Sequence, residues 1–95
     1  MATKAKPKET TPKPNPLDGL TEGRMTHYVL PDERNAGEHR PAIIVQVWDY
    51  EAGTSNLVVF CDGDNDGMGS LILWRPSVRH SEDKEPGTWH WIEAA

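Results

Sequence analysis

The residues best suited to chemistry lie in one loop, Asp62-Gly63-Asp64-Asn65-Asp66-Gly67. Carboxylates at alternate positions and glycine at the sixth match the first half of a calcium-binding loop, where oxygen ligands on a tight turn suit a hard cation. The second half departs from that pattern. The position that supplies a bidentate glutamate in such loops is Leu73, and the flanking segments read as strands rather than helices. Asp62, Asp64 and Asp66 are therefore calcium candidates set against a plainer expectation, a β-turn whose Asp, Asn and Gly supply the backbone conformations.

The other reactive residue types are scattered. His27, His39, His80 and His90 share no metal-ligand spacing, and the expectation is solvated or packing histidines with no metal and no cofactor. Cys61 is the only cysteine, so an intramolecular disulfide is impossible. It ends an apolar strand with no glycine elbow or oxyanion loop beside it, which reads as a packing role rather than a nucleophile. No phosphate-binding glycine loop and no acid–base carboxylate pair is recognisable. The expectation is a protein that is not an enzyme.

Short strands must position these groups. The most apolar and β-branched stretch is a hairpin, Ala42 to Tyr50 returning through Asn56 to Asp62. Alternation assigns Ile43, Val45 and Val47 to an inner face, and Ile44, Gln46, Trp48 and Tyr50 to a mixed one. In the return strand Leu57, Val59 and Cys61 alternate with Val58 and Phe60, so both faces are expected to be covered. Arg24–Leu30 is an earlier strand, with Met25, His27 and Val29 on one face. Ser70–Trp74 is a later one, stopped near Pro76, and Thr88–Ile92 is the last, with both its tryptophans on one face. No segment carries a helical repeat. Five strands spaced by Gly-, Pro-, Asp- and Ser-rich loops predict an all-β fold, a small five-stranded partly open barrel (SH3-like or OB-like) or a compact sandwich.

Two regions differ in composition. Residues 1–22 form a Pro/Lys-rich extended arm, and residues 23–95 a small β-domain. Four of the eight prolines fall in the first twenty residues, which hold too little apolar surface to offset their ordering entropy. Leu17 and Leu20 are the arm's sizeable apolar groups and candidate anchors onto a partner. Residues 1–20 carry a net +2 (four lysines, two acids) and the remainder −7 (six basic, thirteen acidic), giving the total of −5. An acidic body argues against a nucleic-acid-binding domain, which needs a basic face. No apolar run reaches a membrane span, and no signal core opens the chain.

Four tryptophans are many for so short a chain. Trp74 and one of the pair Trp89 and Trp91 are expected in the core. Trp48, Tyr50 and the exposed member of the C-terminal pair are candidates for a protein–protein surface.

The segments Gly23–Leu30, Arg40–Val45, Val58–Gly63 and Pro86–Trp91 resemble a family of small proteins found in tailed bacteriophages and prophages of proteobacteria. The likeness covers about residues 23–92 and carries no catalytic motif. It implies a structural protein of the virion, made in the host cytoplasm: a capsid cement or decoration protein, or another head or tail accessory. Such a protein would bind capsid or tail proteins through its β-domain and N-terminal arm, as a homo-oligomer or in many copies, without contacting nucleic acid or membrane. The alternative is a small intracellular adaptor or regulator that binds a host protein.

Overall fold

The computed structural model describes residues 17–31, 34–67 and 70–93; residues 1–16 of the arm lie outside them. Five antiparallel strands form one sheet: β1 (Met25–Val29), β2 (His39–Asp49), β3 (Thr54–Phe60), β4 (Ile72–Val78) and β5 (Trp89–His90), in the order β4-β3-β2-β1-β5. The fold is all-β, as the strand pattern predicts, and the sheet is open. Beyond β4 the chain returns to the far edge, where His80 makes a parallel bridge to Trp89. The backbone bonds Trp89 N–H to Arg79 C=O and Ser81 N–H to Trp89 C=O accompany that bridge.

One face of the sheet holds the core: Tyr28, Ala42, Ile44, Val47, Leu57, Val59, Val78 and Trp89, with Leu30 beside them. The inner face of β2 thus differs from the alternation expected for it. Ile44 is fully buried and Val45 is 43% exposed. A register shift between Ile44 and Gln46 is the reason. The inserted residue moves Val47 onto the same side as Ala42 and Ile44, and simple period-two counting fails across such a bulge.

Other expectations change with the edges. β4 runs through Pro76 to Val78, which an edge strand tolerates because its outward N–H positions need no partner. After a further shift in the β2–β3 pairing between Val47 and Asp49, a third lies opposite Asn56, between the pairs Ser55↔Val78 and Leu57↔Arg75. Ser77 adopts a left-handed φ of 53° there and donates its N–H to Asn56 Oδ1 at 2.8 Å. Trp74, expected in the core, is 52% exposed, because it pairs with Val58 on the outer face of the edge strand. Val58 and Phe60 are half-buried rather than covered, although the same face buries Val29 and His90 at its β1–β5 end.

Leu17 and Leu20 pack onto the domain's own core. Glu22 fixes that approach by accepting the Val47 N–H at 2.9 Å. The packed unit therefore begins by Leu17, ahead of the arm boundary drawn at residue 22, and the two leucines are fold anchors rather than partner contacts. Leu17 meets the turn at Gly53, which has a φ of +83°. A Cβ there would stand 2.7 Å from His80 Cβ and 3.3 Å from the Trp89 ring. Trp89 is fully buried and donates Nε1–H to Gly53 C=O at 2.7 Å. It is the centre of the core and leaves the set of surface tryptophans; its polar tip is satisfied, as a buried indole requires.

Candidate functional site

The Asp-rich loop forms a short 3-10 turn, Gly63–Asp66. Its last carboxylate is turned inward, and Asp66 has no exposed surface. Arg40 grips it as a fork, Nε to Oδ2 at 2.8 Å and Nη2 to Oδ1 at 2.6 Å. Asn35 Nδ2 donates to Oδ1 at 2.7 Å and the Asp62 N–H to Oδ2 at 2.7 Å. The Arg40 hydrogen bonds first, and then the Asp62 amide, hold the carboxyl far below the usual carboxylate range despite burial. Arg40 is correspondingly raised. Both oxygens of Asp66 are committed to donors within the chain, so of the three calcium candidates only the exposed Asp62 and Asp64 face outward. Asp62 Oδ2 also accepts from Asn65 Nδ2. The loop's chemistry is a buried ion pair that ties it to β2 and to the 34–37 turn.

The histidines behave differently. Antiparallel register places His27 of β1 opposite His90 of β5, and His39 of β2 opposite Val29, two residues along β1 on the same face. The rings of His39 and His90 lean over β1 to a centroid separation of 4.6 Å. His27 lies 5.8 Å from His39 and 5.7 Å from His90. Glu93, three residues past His90, turns its carboxylate into the group. Its oxygens lie 2.9 Å from His27 Nδ1, 3.2 Å from His39 Nδ1 and 3.0 Å from His90 Nε2, with Lys84 Nζ at 3.3 Å. One ligand atom from each of His27, His39, His90 and Glu93 falls within 4.8 Å of every other. Three of the four histidines thus share one cluster, against the expectation of scattered packing residues. The fourth, His80, is apart: it pairs with Glu82 at 2.6 Å and stacks edge-on against Trp89.

The electrostatics favour a neutral His90 beside a charged Glu93. Burial lowers the pKa of His90, Glu93 opposes that, and His39 and His27 add to the lowering. Burial would raise Glu93, but its own backbone N–H, His27, Lys84 and His90 together outweigh that and bring it to about 2. His90 is fully buried, and its Nδ1 makes no hydrogen bond.

Cys61 is half-buried. Burial first, then the charge of Asp66, pushes its thiol pKa up, opposite to the shift that activates a cysteine nucleophile.

The outer face carries an apolar row, whereas the candidate Trp91 packs against the core on the other side. Register links Met25 to Ile43, Ile43 to Val58 and Val58 to Trp74, an apolar row across four strands. The pair Phe60↔Ile72 runs beside it. Trp48 and Tyr50 are 63% and 56% exposed. The indole of Trp48 donates to Asn56 Oδ1 at 2.9 Å, and the Tyr50 hydroxyl reaches Glu22 Oε1 at 3.4 Å. Trp91 is half-buried, edge-on to Trp89 and beneath the Arg24 guanidinium at 4.4 Å. Sequence reasoning missed Trp74, Ile72 and Met25 as surface residues; the edge position of Pro76 was the available signal for the first two. Compared with known protein families, curated proteins and solved structures, the chain matches none.

Proposed function

We propose that this chain is a non-enzymatic binding module that docks onto a protein surface through the open outer face of its sheet. The observation carrying this reading is the registered row Met25–Ile43–Val58–Trp74, whose two ends are 43% and 52% exposed, with Ile72 and Trp48 beside it. Clustered exposed aromatic and aliphatic side chains on a rigid scaffold are the makings of an interface core, and tryptophan is enriched among residues that dominate binding energy. Two reactive groups among the described residues are not arranged for catalysis: Asp66 is consumed by Arg40 and the Cys61 thiol is shifted away from activation.

The proposed partner is the surface of a tailed-phage particle, the class implied by the resemblance of residues 23–92. On a repetitive shell, modest contacts at many equivalent sites add through avidity. The proline- and lysine-rich residues 1–16 extend the module by a basic segment, opposite in charge to the body. Quantitative mass spectrometry of purified particles of the encoding phage tests the reading. Many copies per particle are expected, with incorporation lost in Trp74→Lys while the thermal midpoint holds. Absence from particles overturns it, and a stoichiometric host protein recovered with the chain would favour the adaptor reading instead.

A further inference from the structure

We propose that His27, His39, His90 and Glu93 form a binding site for a late first-row divalent cation, zinc being the probe, which staples β5 and the C-terminal segment to the sheet. Imidazole nitrogen and carboxylate oxygen are the donor types zinc takes in four-coordinate sites. A tetrahedral ion with bonds of about 2.0–2.1 Å sets its ligand atoms about 3.3 Å apart. The three nitrogens already stand 2.9, 3.2 and 3.0 Å from the Glu93 oxygens. The ligand atoms all lie within 4.8 Å of one another, so the widest pair must close by at most about 1.5 Å to reach that edge. His27 and His39 are half-exposed and have room to do so.

The contacts that hold the cluster without metal are the ones an ion would replace. Glu93 Oε2 is approached at once by His39, His90 and Lys84. Three imidazoles turned toward one carboxylate can each donate a ring N–H to it, and the same convergence brings three nitrogen lone pairs to one point once a cation displaces those protons. Without an ion the Glu93 carboxylate at 3.0 Å favours the proton on His90 Nε2, and Nδ1, which makes no hydrogen bond, is free to take that proton when an ion binds. A proton on Nδ1 leaves the Nε2 lone pair for the ion. The same lack of an outer-shell partner costs affinity, by the 10–100-fold typical of such contacts.

The site's position gives it a structural role. β5 is two residues long and is held to β1 by the pairs His27↔His90 and Tyr28↔Trp89. An ion held by β1, β2, β5 and Glu93 would lock that edge, as metal staples do in domains whose core is small.

The test uses the untagged full chain, stripped with chelator and titrated with Zn2+ and then Co2+. The expected result is one ion per chain, the intense visible bands of four-coordinate cobalt, a rise in thermal midpoint and slower amide exchange over residues 89–93. His27→Gln and His39→Gln are both half-exposed positions, so folding should survive, as circular dichroism would verify. Each should weaken zinc by more than about 100-fold, beyond the loss typical of outer-shell changes. His80→Gln, the histidine outside the cluster, should bind as the parent does. No saturable 1:1 binding up to millimolar zinc overturns the proposal. So does binding that the folded double variant His27→Gln/His39→Gln retains.

Discussion

Two carboxylates in this domain are ringed by nitrogen donors, and they differ in what the ring is made of. Asp66 is fully buried and meets a permanent cation, the Arg40 guanidinium, plus Asn35 and a backbone amide. Every bond is fixed by geometry, and nothing remains for a ligand. Glu93 is about a third exposed and meets three imidazoles and a partly exposed lysine ammonium. Its partners are exchangeable: imidazole can turn from proton donor to metal ligand, and Lys84 can leave to water. A guanidinium cannot do either at accessible pH. The first cluster therefore holds the fold, and the second is the one able to respond to a solute.

The sharpest way to break the comparison is Asp66→Ala. It leaves Arg40 and the Asn35 amide facing an unpartnered pocket, the costly way to disrupt a buried pair. A small core supplies only about 3–5 kcal/mol in total, so the variant is expected to be largely unfolded at room temperature by far-UV circular dichroism. An intact fold with a near-parental urea midpoint would remove Asp66 from its structural role.

A gentler version titrates the same pair. The folded pKa of Asp66 lies below its ordinary value of 3.8. Its stabilisation is thus fully present above that value and is lost as pH falls through and below it. The parent's urea midpoint should drop between about pH 5 and pH 2, and Asp66→Asn, which keeps one acceptor oxygen, should show a flatter profile from a lower start. Equal slopes in the two proteins would assign acid sensitivity elsewhere.

Glu93→Gln should barely move the urea midpoint without metal, because Glu93 is partly solvated and its contacts are exchangeable. It should nevertheless abolish the zinc-induced rise in thermal midpoint. Lys84→Asn sharpens the contrast further. The change removes a cation competing for Glu93 and suits the left-handed φ of 60° at that position. Zinc affinity should rise in isothermal titration; a fall would mean that Lys84 helps to place the carboxylate. The smallest effect belongs to Asp64→Asn, exposed in the acidic loop, with stability within about 0.5 kcal/mol of the parent and no calcium response in tryptophan fluorescence.

The sequence and the structure rank these clusters in opposite order. The acidic loop has a visible spacing, Asp62, Asp64, Asp66, and so attracts a metal hypothesis. Yet which of those side chains turns inward depends on Arg40, twenty-six residues away. The histidines have no spacing at all, because their proximity runs across strands rather than along the chain. His27 and Val29 were legible as one face of a strand. That His90 lies opposite His27, and His39 opposite Val29, follows from register, which no local pattern encodes. The same reason accounts for β2, where one inserted residue exchanged the roles of Ile44 and Val45.

What the sequence determined by itself is the all-β class, the five strands and the short turns between them. β-Branched runs broken by Gly, Pro, Asp and Ser impose those locally. Only the tertiary structure decided which tryptophan becomes the core, that Leu17 and Leu20 belong to the fold, and that three distant histidines meet one glutamate. Each of these depends on which strands are neighbours and on where bulges shift their pairing, and those are properties of the assembled sheet.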